Sequence, residues 1–282
     1  MATGTGYNPG TTGAKWVAEV WAKTIDRQAY EKAVIWPKVL EMDQLKNKLH
    51  IPKHDNLSAT VVAGTSDIFE PVFQANTETE VTVSPTYINI PVSIDVRTLA
   101  RMIVDPRDTV KTSIEMSMGA YIDSAVAALF PALTTNVTGS YAVDVDLPTI
   151  LQARSLVKAG AKEYADPGKY VFAYHHKQDD AVMGIGQFTQ FYIRGDKQNP
   201  AVGGVVGEAY GIQFVPTGNV ADSGGGFNNS VFIERAFVVS FNQRPTIKLQ
   251  EHGYAYWLLG WAEYGTATLR DPYAALVKSK NT

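Results

Sequence analysis

His175, His176, Asp179 and Asp180 are the densest group of side chains in the sequence that could hold a metal or move a proton. On a helix, His175 would face Asp179 and His176 would face Asp180. Two such pairs could ligate a divalent cation. Histidines and acids at a helix start are also ordinary cap and dipole chemistry, and that reading is favoured here. The glycines Gly184, Gly186, Gly203, Gly204, Gly207 and Gly211 do not sit between a clean strand and a helix as a dinucleotide loop requires. They are read as loop and turn residues. No phosphate loop of the GxxxxGK type and no GxSxG elbow is present. The chain has no cysteine, which removes thiol nucleophiles, disulfides and cysteine metal sites together.

A second pattern is electrostatic. Residues 54–96 contain no lysine or arginine but six acids, Asp55, Asp67, Glu70, Glu78, Glu80 and Asp95. Arg97, Arg101, Arg107 and Lys111 follow directly. The expectation is that some of Asp67, Glu70, Glu78 and Glu80 pair with this basic group, or with Lys15, Lys23 and Arg27, on an adjacent chain, the alternative being a solvated acidic arm that keeps free subunits soluble. The acids lack calcium-loop spacing. A third pattern is Trp16 with Trp21, one turn and a half apart among Val17, Val20 and Ile25. It reads as an anchor against protein rather than a membrane-surface helix, because the opposite face is not strongly basic.

The elements that must carry these groups follow from periodicity. Residues 1–13 hold four glycines and four threonines and read as a flexible leader. A helix follows and ends before Pro37. Leu57, Ala59, Val61 and Ala63 alternate, as do Val81 and Val83, and the phase flips at Tyr87/Ile88 so that Ile88 to Val96 take over the apolar side. Residues 54–96 therefore read as a long twisted two-stranded arm, turned over by a bulge or a change of sheet. Its tip, 64–78, and the leader are expected to be the least rigid parts of a free subunit. Asp105-Pro106 opens a long helix that runs to Phe130 before Pro131. Residues 146–165 form a shorter helix with Ile150, Leu151 and Val157 inward. Tyr170–Tyr174 is a buried strand, and 175–184 a short helix. Val231–Ile233, Ala236–Phe241, Ile247–Leu249, Tyr254–Leu259 and Thr266–Val277 are strands, with turns at Gly260 and Asp271-Pro272.

The 282 residues are 45% hydrophobic and 19% charged, enough for a substantial core. A net charge of -3 argues against a dedicated nucleic-acid binder. No apolar run approaches the roughly 20 residues of a membrane helix, and no secretion signal is visible.

The order of parts resembles the major capsid proteins of tailed bacteriophages with the HK97-type fold. The resemblance rests on the helix from Asp105 to Phe130 and on Pro167–His176 as a strand leading into a short helix. It rests also on Gly204–Val220 as a glycine loop, strand and turn, and on Tyr264–Pro272 as a closing strand with its turn. It implies an α+β fold divided into an N-terminal arm (1–50), an E-loop (51–96), a P-domain with a spine helix (97–145), an A-domain (146–230) and closing strands (231–282). It implies self-assembly into hexamers and pentamers of an icosahedral shell around double-stranded DNA, without sequence-specific binding and without a cofactor. A separate scaffolding protein and a portal are the implied partners, in a virion assembled in the bacterial cytoplasm. Trp16, Trp21, the four arm acids and the four bases become expected inter-subunit contacts. Some members join an E-loop lysine covalently to a neighbour; no lysine lies between Lys53 and Arg97, so that bond is not expected. An encapsulin-type shell around protein cargo shares the resemblance. A metal-dependent enzyme using His175–Asp180 is the remaining alternative.

Overall fold

The computed structural model describes residues 33–43, 46–54, 78–101, 105–162, 169–186 and 207–281. The leader, the helix with Trp16 and Trp21, the arm tip with Asp67 and Glu70, and the turn at 166–168 lie outside these residues.

Three sheets organise the described residues. A two-stranded ribbon pairs β2 (Leu49–His54) with β3 (Glu78–Val83). A four-stranded sheet has the order β1-β10-β11-β4, from β1 (Leu40–Met42), β4 (Thr86–Asp95), β10 (Phe237–His252) and β11 (Ala255–Thr268). A six-stranded sheet has the order β5-β12-β9-β6-β8-β7, from β5 (Val137–Gly139), β6 (Tyr170–His175), β7 (Glu208–Ala209), β8 (Ile212–Thr217), β9 (Gly226–Ile233) and β12 (Ala274–Lys280). Four α-helices are described: α1 (Val96–Arg101), α2 (Arg107–Ala127), α3 (Leu147–Ala161) and α4 (Asp179–Met183).

Helix α2 covers one face of the four-stranded sheet. Ile114, Met118, Ile122 and Val126 recur at helical spacing and are buried with Ile88, Ile94, Leu258 and Phe241. Helix α3 covers one face of the six-stranded sheet with Ile150, Ala153, Val157 and Ala161. The other face of that sheet joins the first core through Val171, Ala173 and Phe232. Strand β6 is therefore buried on both faces, which is why Tyr170–His175 reads as an unbroken apolar run.

Several expectations need correction. The two-stranded arm does not extend to residue 96. Its described strands are 49–54 and 78–83, and the chain changes sheet at Ser84-Pro85, where β4 joins β11 instead. The phase flip marks that change: Ile88, Ile90, Val92 and Ile94 pack on the first core. Pro91 is tolerated because β4 is an edge strand. Gly260 is not a turn but lies inside β11. A Cβ there would meet Ile114 Cγ2 at 2.3 Å, so glycine is what lets α2 lie close to the sheet. The turn is at Gly253, with φ +59°. The segments around 237–241 and 247–249 are one strand, bulged on both sides of Gln243. The expected strand 266–277 is split by a 3-10 turn at Asp271–Tyr273. Helix α2 stops at Ala127, and Phe130–Ala132 form a separate 3-10 turn. In α3, Ala153 takes the buried place assigned to Leu151.

Candidate inter-subunit surfaces

The ribbon β2–β3 is fixed at its base and charged along one side. Val83 is fully buried against Val238, with Met42, Leu49, Ile51 and Ala267 around it. On the opposite side, His50 Nδ1 lies 3.2 Å from Glu80 and 3.3 Å from Thr82 Oγ1, and His54 Nδ1 lies 3.6 Å from Glu78. Glu78 and Glu80 thus have histidine neighbours across the ribbon in their own chain. Sequence reasoning did not pick out His50 and His54. Their even spacing in an alternating segment, with acids two apart in its partner strand, was the available signal. All four side chains stay more than half exposed.

The four bases gather at the far end of the four-stranded sheet. Asp95 accepts from the backbone N–H of Arg97 at 2.6 Å and of Thr98 at 3.4 Å, which starts α1, a helix the sequence reading did not anticipate. Val96 N–H donates to the Tyr254 carbonyl at 2.9 Å and ties α1 to the β10–β11 turn. The Arg97 guanidinium lies over Tyr254, which is 77% exposed. Arg107 is already engaged. Its Nε and Nη2 donate to Asp105 at 2.8 and 2.5 Å, and the group lies over Tyr256. These bonds hold the Asp105 carboxyl below the usual aspartate range and raise the arginine further. Arg101 and Lys111 are exposed.

The two charged groups therefore occupy opposite ends of the molecule's longest ladder. Tyr254 adjoins one end of β11, while Arg270, just past its other end, donates to the His54 carbonyl at 3.5 Å. Fourteen residues of strand span about 45 Å. Glu78 and Glu80 cannot reach Arg97, Arg101 or Lys111 in the same chain. Between the two ends, the β11 face turned away from α2 carries Trp257, Leu259 and Trp261. Among the described residues none of the three packs into a core cluster, whereas Leu258, Gly260 and Ala262 are buried.

The histidine–aspartate group is brought together differently from expectation. His175 ends β6, its ring stacks on Phe227 at 3.9 Å, and its Nδ1 accepts from the Lys177 N–H. Asp179 accepts from the Tyr174 hydroxyl at 2.6 Å rather than facing His175. Cap and packing contacts account for the pattern. Among the described residues no three histidine or carboxylate side chains converge as a metal site. No helix among them is long and apolar enough to cross a membrane.

No family model and no curated protein matches the sequence. Solved structures match along nearly the whole chain. A Mycobacterium phage Che8 structure is 15% identical with a TM-score of 0.73, covering 93% of this chain and 97% of that one. The capsid of a native GTA particle is 10% identical with a TM-score of 0.74, covering 98% and 100%. The head structure of Helicobacter pylori bacteriophage KHP40 is 11% identical with a TM-score of 0.74, covering 99% of each chain. With its N-terminal ribbon, long helix α2 laid on a four-stranded sheet, and separate six-stranded lobe, the chain has the HK97-type α+β fold of phage capsid subunits.

Proposed function

We propose that this protein is a shell subunit of a tailed, double-stranded DNA phage head, a structural protein that self-assembles into hexamers and pentamers of an icosahedral capsid. The observation that carries the reading is the whole-chain match to subunits taken from phage heads and capsids, with neither partner left with a large unmatched part. The described residues agree with that role. The ribbon β2–β3 corresponds to the base of an E-loop, α2 to a spine helix, the four-stranded sheet to a P-domain and the six-stranded sheet to an A-domain.

The placement of charge supports a way of joining copies. An acidic ribbon at one end and a basic cluster at the other complement each other head to tail. Such heterologous contacts close into rings when the rotation per copy fits. In this reading Glu78 and Glu80, with Asp67 and Glu70 further along the arm, approach Arg97, Arg101 and Lys111 of the next subunit. Arg107, held by Asp105, contributes less than its neighbours. Trp257, Leu259 and Trp261 form the apolar track between the two ends. Trp16 and Trp21 serve as further anchors on a neighbouring copy. A scaffolding protein and a portal are the accompanying partners, and the mild net charge of -3 suits a wall that neither binds nor blocks packaged DNA.

Negative-stain microscopy of the expressed chain tests this. Rings or closed particles are expected. A monodisperse monomer at high concentration, with and without a co-expressed scaffold, would overturn it. Nucleic acid inside particles from infected cells distinguishes a head from a cargo shell.

A further inference from the structure

Asp123 is a buried carboxylate in the last third of α2, with no exposed surface. It accepts hydrogen bonds from three consecutive backbone N–H groups of a segment some ninety residues away: Val34 at 2.7 Å, Ile35 at 3.0 Å and Trp36 at 2.7 Å. A fourth donor, Asn219 Nδ2, reaches the same carboxylate at 3.2 Å from the turn after β8. Ser124 Oγ donates to Asn219 Oδ1 at 3.4 Å beside it. Among the described residues no cation pairs with Asp123. The partners described are neutral dipoles, and burial pushes the carboxyl above the ordinary aspartate range despite the N–H bonds.

We propose that Asp123 is a latch: it holds the strap 33–39 against the long helix and so fixes where the chain before residue 33 leaves the subunit, and its release frees that strap without unfolding the body. Three features make the strap a separable unit. Its other backbone bonds are internal, Lys38 N–H to the Ile35 carbonyl and Val39 N–H to the Trp36 carbonyl. It hands over to β1, which pairs with β10 through only three residues. One of its buried polar atoms is unmet: the Trp36 ring lies 5.1 Å from Phe241, but its Nε1 finds no acceptor among the described residues. Against this, Ile35 is wholly buried and Ala33 Cβ is 3.3 Å from where a Gly119 side chain would begin, so the closed strap is snugly seated on α2. A strap whose polar tie to the helix is a single carboxylate has two arrangements, closed on the helix or open to water, rather than a continuum. The proposal concerns the subunit itself and holds whether or not the chain assembles.

Hydrogen exchange of the full-length chain tests it. In wild type, amides 34–36 should exchange through an opening with a smaller denaturant dependence than the α2 amides 114–127, since only the strap is exposed. In Asp123→Asn one acceptor oxygen becomes an NH₂ group facing N–H donors, and exchange of the 33–42 peptide should rise at least tenfold while 114–127 is unchanged. Asn219→Ala should give a smaller rise confined to the same peptide. If 34–36 opens only with α2 in wild type, or if the variant accelerates both peptides equally, Asp123 is a core residue and not a latch. Unchanged exchange at 33–42 in Asp123→Asn would equally overturn it.

Discussion

The two larger sheets use their faces in opposite ways. The six-stranded sheet is covered on both sides, and even its polar interior is satisfied within the chain. Asn229 Nδ2 donates to Gln178 Oε1 and Ser279 Oγ at 2.8 Å, and Gln178 Nε2 donates to the Lys280 carbonyl at 2.8 Å. Among the described residues the four-stranded sheet is covered by α2 on one side, while its other side is covered by the ribbon near Val238 and Ala267 and keeps two half-buried tryptophans on a central strand. One sheet is finished by its own chain. Among the described residues the other is not, and charged groups mark its two ends. On the proposed reading, the contrast assigns stability and assembly to different parts of this molecule.

The largest effect should come from breaking the finished sheet. Phe172 is fully buried against Tyr174 and Phe214. Phe172→Ala should cost about 3–5 kcal/mol in a urea titration of the dissociated subunit. Gly260→Ala tests the covered side of the other sheet. Ile114 must give way, and the same titration should show a loss of about 1–3 kcal/mol. A neutral result would mean that α2 is free to shift.

Alkali should sharpen the comparison next. Burial, with Tyr121 nearby, pushes the Tyr264 hydroxyl up to about 12. Burial and then Asp179 push Tyr174 higher still. Both groups favour the neutral form in the fold. Their contribution is fully present below the unfolded tyrosine value of about 10 and is lost as pH rises through the folded values. Stability should fall between pH 10 and 12, and Tyr264→Phe should lessen the fall by about 1–2 kcal/mol in that window. A pH profile identical for both proteins would show that Tyr264 ionises freely in the fold.

The smallest change in subunit stability, and the largest in assembly, should come from the unfinished sheet. Charge reversal of Glu78 and Glu80 to lysine alters exposed pairs worth about 0–1 kcal/mol each. The melting temperature should hardly move. Assembly followed by light scattering should slow, and reversal of Arg97 or Arg101 should partly restore it. Rates indifferent to both reversals and to salt would leave the acids as a solvated edge. Trp257→Ser with Trp261→Ser should likewise leave a folded subunit that fails to form particles; normal particles would show that this face takes no part.

Much of this architecture was readable from residue order. The helix after Asp105-Pro106, the helix within 146–165, the buried strand Tyr170–Tyr174 and the turn at Asp271-Pro272 each carry a local signal that packing did not overrule. The division of charge between residues 54–96 and 97–111 was equally plain. So was the absence of cysteine chemistry, because composition alone decides it.

What local signals could not give was partnership between distant segments. The alternation of residues 86–95 says strand but not which strand it joins, and only the apolar face of α2 drew it away from the ribbon. Gly260 looks like a turn in one dimension; the reason for it is a helix more than 130 residues earlier in the chain. Asp123 sits unremarked in a helical pattern, and its meaning comes from three N–H groups that lie against it only after the chain has folded. The sequence by itself determined which segments become helix or strand and where charge is stored, because those depend on neighbours a few residues apart. The tertiary structure decided that Glu78 and Glu80 stand about 45 Å from Arg97, at opposite ends of one strand. That separation depends on how the sheets are joined, and no local periodicity encodes it.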